Sequence, residues 1–132
     1  MKRIILTLTA LAVFLVALAA SAGETKLFMK YETVRQALLG GSVGDVQRAA
    51  KQLADTARAE KQNAIADRAF ALAKAANLKG ARDSFALLSQ ELIRFRDGRS
   101  GQRPVVVYCS MEKKSWLQPK GVVTNQIGRA HV

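Results

Sequence analysis

GARDSFALLSQELIRFRDG, residues 80–98, holds the strongest apolar stripe of this chain. Its apolar residues recur at steps of four and three: Ala81, Phe85, Leu88, Leu92 and Phe95. This spacing places them on one face of an α-helix, and such a face has to be buried against other apolar surface. Asp97-Gly98 ends the pattern. The stretch therefore predicts a helix that packs within a helical domain.

Two segments upstream show the same helical periodicity, and no proline interrupts them. The first ends at Gly40-Gly41, which can supply the positive φ of a helix C-terminus. Its apolar face consists of Leu27, Tyr31, Val34 and Leu38. The second starts at Ser42, whose hydroxyl can accept a hydrogen bond from the backbone N–H near Asp45. Its buried stripe is predicted to consist of Val46, Ala49, Ala50, Leu53 and Ala57.

A third, alanine-rich segment covers about Asn63–Asn77, where small residues allow helices to approach closely. Its predicted buried face consists of Ala66, Ala69, Phe70, Ala73 and Ala76. The fourth helix either follows Gly80 or joins the third in one continuous helix, because a lone glycine costs only about 1 kcal/mol in a helix. Residues 23–98 are thus predicted to form a small antiparallel bundle of about four helices.

The chain changes character after its helical part. Val105–Tyr108 and Gly121–Thr124 are short β-branched runs that predict two strands. The intervening segment, Cys109–Lys120, is predicted to be a loop. It contains Trp116, the only tryptophan, and a tryptophan among polar residues is more often a packing plug than a ligand platform. Residues 99–125 are therefore predicted as a short β-hairpin-like segment of the same domain, which makes the fold mainly α.

The N-terminal residues indicate the cellular location of the protein. Lys2 and Arg3 precede the apolar run Ile4–Ala19, which ends in Ala20-Ser21-Ala22, a small-x-small cleavage pattern. Residues 1–22 are therefore predicted to be a secretory signal peptide. An uncleaved anchor is the alternative, although the run only just reaches the roughly 18 to 20 residues that a span needs. The predicted location is periplasmic or secreted, with no membrane span after cleavage.

The composition is basic, with 21 Lys and Arg against 10 Asp and Glu and a formal net charge of +11. Nucleic acid is the usual partner of such a balance. The cations, however, are scattered along the helices rather than clustered with aromatic residues, so no nucleic-acid partner is expected. A solvated basic surface is one interpretation, and attraction to anionic lipid headgroups or an acidic partner is the other. The cations considered for docking are Lys51, Arg58, Lys61 and Arg68.

The residues with the most distinctive chemistry are Cys109, the only cysteine, and Met111 two positions later. Thiolate and thioether are soft ligands that favour Cu(I) or Ag(I) over hard cations. Two ligands do not make a closed structural zinc site, which requires four. A structural or disulfide role for Cys109 is the alternative to metal binding. Met29 on the first helix is expected to fill the core rather than to act as a third ligand.

Several motifs of this chain occur together at characteristic spacing. They are Tyr31, Ala37-Leu38, Arg82, Phe85, Leu88-Ser89, Leu92, Val107–Met111, Trp116–Gln118 and Asn125. This combination resembles a bacterial family of unknown function that occurs as small exported proteins and as a terminal domain of periplasmic adaptor subunits of heavy-metal efflux pumps. The resemblance implies soft-metal handling and an efflux adaptor or another envelope protein as partner. The family's proline between cysteine and methionine is Ser110 here, which should loosen this segment without removing either sulfur.

The chain departs from the family pattern after Asn125. That pattern continues with a Pro-aromatic-aromatic-Gly segment and further Met and Cys residues, whereas this chain has QIGRAHV, residues 126–132. IGRAHV reads like a translated sequencing-library adapter. Residues 126–132 are therefore interpreted as a non-native tail on a C-terminally truncated copy, with Gln126 at the junction, and His131 is not taken as a ligand. A cysteine in the missing segment would offer Cys109 a disulfide or a shared metal site.

The sequence shows no catalytic constellation. It has no cysteine with a credible native histidine, no Ser-His-Asp set and no glycine-rich phosphate loop. We therefore expect a protein that is not an enzyme. Two hypotheses follow: a periplasmic module that binds Cu(I) or Ag(I) through Cys109 and Met111 near an efflux system, and a periplasmic interaction or envelope-docking module with no metal role.

Overall fold

Four helices pack together and are followed by a two-stranded antiparallel hairpin in the computed structural model, which describes residues 23–99 and 103–120. This architecture confirms the predicted fold class. The elements are α1 (residues 23–40), α2 (Val43–Ala59), α3 (Asn63–Ala73), α4 (Leu78–Asp97), β1 (Val105–Cys109) and β2 (Lys114–Gln118). The predicted signal peptide, the predicted strand Gly121–Thr124 and the predicted tail, residues 126–132, lie outside the described residues.

No helix within residues 23–99 and 103–120 is long and apolar enough to cross a membrane.

The helix boundaries follow from local capping chemistry. Gly41 has a φ of +75° directly after α1, as its position after a helix requires. The Ser42 side chain accepts from the Asp45 backbone N–H at 3.3 Å, which confirms the predicted N-cap of α2. The Asn77 side chain accepts from the Gly80 N–H at 2.8 Å, so α4 begins at Leu78. The structure thus confirms a fourth helix separate from the third, although this helix begins two residues before Gly80, which lies in its first turn.

The buried face of α3 differs from the predicted one. It consists of Ile65, Ala66, Ala69 and Leu72. Phe70 is 43% exposed, with the Lys74 ammonium 4.2 Å from its ring centre, and Ala76 is exposed beyond the end of α3. Each helical residue turns the side-chain direction by about 100°, so Phe70 falls beside the stripe that Ala69 occupies. An alanine-rich sequence indicates only weakly which face of its helix is buried, and for this reason the predicted face of α3 was wrong.

The hairpin also differs from the prediction. β1 pairs with β2 from Val105↔Gln118 to Cys109↔Lys114, so the segment predicted as a loop contains the second strand. Trp116 is 1% exposed and Leu117 is fully buried, although neighbouring strand residues point to opposite faces. A strand buried on both faces does not show the apolar-polar alternation that identifies half-buried strands. This explains why the pattern missed β2.

Arginine side chains tie the end of α4 to its surroundings. Arg103 Nη1 donates to the carbonyl oxygens of Arg96 at 3.1 Å and Arg99 at 2.8 Å, and Arg96 Nε donates to the Pro104 carbonyl at 2.6 Å. Of these acceptors the Arg96 carbonyl belongs to the last turn of α4 and also accepts from the Arg99 N–H at 3.1 Å, so the Arg103 side chain reinforces this helix end and joins it to the segment before β1. The Arg99 guanidinium pairs with Glu24 at 2.7 Å and therefore also joins α1 to the end of α4.

One arginine of α1 is buried with its charge. Arg35 is 3% exposed and donates to both carboxylate oxygens of Glu32, at 2.7 and 2.6 Å. Gln36 donates to the same carboxylate at 2.8 Å. Partial burial by itself would raise the pKa of Glu32, but the hydrogen bonds from Arg35 and Gln36 and the charge of Arg35 outweigh it and lower the pKa below its usual value near 4.5.

The Glu32→Gln variant tests this pair. We expect it to lose about 1.5 to 3 kcal/mol of unfolding free energy at neutral pH, the usual range for hydrogen bonds to charged groups. Because the folded pKa is depressed, the ionised Glu32 stabilises the protein above its unfolded pKa, and this contribution is lost as pH falls through the folded pKa. Urea unfolding at pH 7 and pH 3 should therefore show a difference from wild type that shrinks in acid.

The exposed pair of Asp55 with Lys51, at 3.2 Å, provides the control. Asp55→Asn should change stability by less than about 1 kcal/mol because solvent screens this pair. A Glu32→Gln deficit that is equally large at both pH values would contradict the assignment.

Candidate functional site

The turn between the two strands carries both predicted sulfur ligands. Residues 110–113 connect β1 to β2, and Lys113 adopts a left-handed φ of +53° as the chain reverses. Cys109 is the last residue of β1 and lies opposite Lys114. Met111 lies within the turn. The structure therefore brings the two residues to the same end of the hairpin.

The two sulfur residues occupy different environments. Cys109 shares a face of β1 with Val107, which lies opposite Trp116, so its side chain points to the core side and is 9% exposed. Met111 is 78% exposed, the highest value among the large exposed apolar residues of the described chain. The thiol thus lies at the margin of the hydrophobic core, and the thioether lies in solvent.

The chemistry of these donors fits a soft monovalent cation and does not fit a closed zinc site. Thiolate and thioether together select Cu(I) or Ag(I). Residues 23–99 and 103–120 contain no group of three or more His, Cys, Asp or Glu side chains that could hold a metal ion. Cys109 and Met111 carry donors of the type that a soft monovalent cation prefers.

Met29 is not the core filler that was expected, since it is 64% exposed. It borders an open groove of about 820 Å³ between α1 and the end of β2, whose walls also include Phe28, Leu117 and Pro119. The prediction failed because Met29 lies two positions from Leu27 and Tyr31, outside the stripe that these residues define. Its exposure makes it a useful reference for Met111.

Trp116 fills the space between the hairpin and the helices, as predicted for a packing plug. It is 1% exposed, and its indole Nε1 donates to Gln118 Oε1 at 2.9 Å. The neighbouring Leu117 is fully buried. These contacts fix the strand that forms one side of the sulfur-bearing turn.

A tyrosine of α1 holds the other edge of β2. The Tyr31 hydroxyl accepts from the Leu117 backbone N–H at 3.0 Å and lies 2.7 Å from Ser89 Oγ. Its ring stacks on Phe85, with centroids 5.0 Å apart. Burial raises the pKa of Tyr31 well above its usual value near 10, so the hydroxyl remains neutral.

The sequence placed Tyr31 in the buried stripe but did not assign a role to its hydroxyl. A signal was nevertheless present, because Ser89 is a polar residue beside the apolar stripe of α4 and is fully buried in the structure. A buried hydroxyl requires a hydrogen-bond partner, and a tyrosine on another buried stripe can supply one.

An ion-pair cluster links the turn end of β2 to α4. Lys114 Nζ lies 2.8 Å from one carboxylate oxygen of Asp83, and Lys79 Nζ lies 3.2 Å from the other. Hydrogen bonds from Lys114 and Lys79 lower the pKa of Asp83 below its usual value. Lys114 faces Cys109 across the hairpin, so the cluster positions the strand directly after the turn.

The four cations considered for docking are exposed on α2, on α3 and between them. Lys51 pairs with Asp55 at 3.2 Å. Within the part of the chain that the structure describes, Arg58, Lys61 and Arg68 make no salt bridge. Lys61 has a left-handed φ of +59° in the connection between α2 and α3. These three exposed cations are the second set of candidate functional residues, and they are remote in sequence from the sulfur-bearing turn.

Comparisons with known proteins do not add a relative from which a function could be transferred. A scan against protein-family models finds no matching family, and searches of curated proteins and of solved structures find no match. A function therefore has to be argued from the chemistry and exposure of the side chains and from the resemblance described for the sequence.

Proposed function

We propose that the protein is a periplasmic module that binds Cu(I) or Ag(I) through Cys109 and Met111 and serves heavy-metal efflux without being an enzyme. The observation that supports this best is that the thiol and the strongly exposed thioether lie at the same end of one hairpin. An exposed thioether can meet an incoming ion without any change in the core. A soft ion then gains two ligands of the type it prefers.

The surroundings of the turn support a selective rather than a general cation site. Glu112 is the one acidic residue within the turn, and Lys113 and Lys114 follow it directly. Hard divalent cations prefer several carboxylate or carbonyl oxygens, which this turn does not concentrate. The thiolate form of cysteine is the one that binds metal.

The place of this module in the cell rests on the resemblance described for the sequence. That resemblance indicates an exported protein and makes an efflux adaptor or another envelope protein the proposed partner. The thioether on the surface is the group that could pass an ion between proteins, since thioethers exchange soft cations without a proton transfer.

Competition with a chromogenic Cu(I) chelator under anaerobic conditions tests the proposal. We expect Cys109→Ser to weaken Cu(I) binding by at least about 100-fold and Met111→Leu by about tenfold, since each removes one soft ligand. Met29→Leu is the matched control, because it removes an equally long, exposed thioether from α1 and should leave the affinity unchanged. Helicity measured by circular dichroism should be the same in all four proteins.

Equal Cu(I) affinity in wild type, Cys109→Ser and Met111→Leu would exclude the sulfur site. The second candidate, docking to an adaptor or another acidic envelope surface, would then take precedence, with Cys109 serving the fold alone. It is favoured by the three exposed cations that make no salt bridge within the described residues, namely Arg58, Lys61 and Arg68. In that case charge reversal at Arg58 and Arg68 should abolish retention on envelope proteins, and the sulfur variants should not.

A further inference from the structure

The outer edge of β1 offers backbone groups for pairing. Among the described residues β2 is the one strand that pairs with β1. The Leu117 N–H donates to Tyr31 and therefore points away from β1. In an antiparallel pair, residues whose N–H and C=O groups point away from the partner strand alternate with residues that exchange hydrogen bonds with it. Since Val106 pairs with Leu117 and Tyr108 with Ser115, the N–H and C=O groups of Val106 and Tyr108 point to the open edge of β1.

The side chains at this edge are also accessible. Val106 is 42% exposed and Tyr108 is 61% exposed. Within residues 23–99 and 103–120, no backbone group outside the hairpin hydrogen-bonds to either residue. Natural edge strands are commonly protected by lysine, proline or a bulge, and β1, with the sequence VVVYC, has none of these within it. The edge is therefore competent to add a further strand.

We propose that this edge pairs with the same edge of a second copy of the chain, so that two hairpins form one four-stranded antiparallel sheet. The pairing is centred on Val107, with Val106 of one copy opposite Tyr108 of the other. Each of these two opposed pairs exchanges two backbone hydrogen bonds, so the interface contains four. In any other two-fold register, Val106 and Tyr108 could not both hydrogen-bond to residues of the partner's β1.

The side chains favour a second copy over an unrelated strand. In the proposed register each tyrosine lies opposite a valine, and aromatic pairs with β-branched residues are stabilising across strands. Arg103, which also donates to the Arg96 and Arg99 carbonyls, comes to the end of the partner strand where the turn carries exposed Glu112 beside exposed Lys113. The edge is therefore self-complementary in its backbone hydrogen bonds and in its valine–tyrosine pairs.

The proposed dimer is weak, for two reasons. Strand pairing alone buries less surface than the roughly 1,200 Å² typical of stable interfaces. Both copies also carry a formal net charge of +11, which opposes association. Added salt screens this repulsion, so dimerisation should strengthen between low and moderate ionic strength.

Amide hydrogen exchange of the purified protein provides a residue-level test over concentrations from about 10 μM to about 1 mM, the range in which weak dimers form. Val105, Val107 and Cys109 direct their N–H groups to β2, so their protection should not depend on concentration. Val106 and Tyr108 should become protected only as concentration rises, together with an increase in sedimentation coefficient. Protection of Val106 and Tyr108 therefore reports pairing at the edge, and protection of Val105, Val107 and Cys109 reports that the hairpin remains folded.

Tyr108→Lys provides the matched variant, because it places a charge on the edge without touching the core. It should weaken dimerisation at least about tenfold, whereas Phe70→Lys, at a similarly accessible aromatic of α3, should not. Two results would overturn the proposal. Val106 and Tyr108 amides that exchange freely at every concentration would show that the edge stays open. Protection of both amides in a protein that sediments as a monomer would show that another segment of the same chain covers it.

Discussion

Trp116→Ala is expected to remove about 3 to 5 kcal/mol of unfolding free energy, the usual cost of truncating a buried large aromatic residue. The indole is 1% exposed and lies between the hairpin and the helices, so alanine would leave a cavity that several elements border. Domains of this size have total stabilities of roughly 5 to 15 kcal/mol, so the variant should be close to unfolding. Urea denaturation followed by circular dichroism measures the change.

Phe70→Ala provides the comparison for Trp116→Ala. Phe70 is 43% exposed and contacts the Lys74 ammonium, so its truncation should cost less than about 1 kcal/mol. If Trp116→Ala cost as little as Phe70→Ala, the hairpin would not be part of the core, and the position assigned to the sulfur-bearing turn would be wrong.

Tyr31→Phe is expected to cost about 1 to 3 kcal/mol, because it leaves the buried Leu117 N–H without its acceptor and removes the bond to Ser89. The exposed tyrosine supplies the control: Tyr108→Phe removes an equal hydroxyl from solvent and should be nearly neutral. The double variant Tyr31→Phe with Ser89→Ala should cost less than the sum of the single variants, since both lose the same bond. Strict additivity would contradict a shared hydrogen bond.

The same substitution changes the response to alkali. The folded pKa of Tyr31 is raised above its unfolded value near 10, so the neutral hydroxyl contributes stability that is fully present below pH 10 and is lost as pH rises above it. Tyr31→Phe removes this titration. Wild type should therefore lose stability between about pH 10 and 11 more steeply than the variant does.

The helices could be predicted because their apolar stripes and caps are local signals. The stripe from Ala81 to Phe95 and the cap at Ser42 both appear in the structure where the sequence indicated them. The failures have a common physical origin. β2 was missed because partners distant in sequence bury both of its faces, and Phe70 was misplaced because alanine neighbours do not mark a face strongly. Burial by distant elements is not encoded in a short window of sequence.

The candidate site, too, could be predicted only in part from the sequence. The spacing of Cys109 and Met111 on one segment is visible in the sequence, and so is their chemical softness. Their unequal exposure is not, because it depends on which face of β1 meets Trp116 and on where the turn begins. Met29 was expected to fill the core because methionine adapts to irregular gaps, and the helix geometry instead turns it to solvent.

The bond from the Leu117 N–H to the Tyr31 hydroxyl joins residues 86 positions apart. Contacts between neighbouring helices close short loops, whereas this one closes a loop that spans most of the described chain, and the entropy of loop closure opposes it until the contact forms. The first helix therefore reaches its full stability only after the hairpin has docked. A chain that has been synthesised through α4 but not yet through β2 has an incomplete core, with the polar end of Tyr31 still lacking its backbone partner.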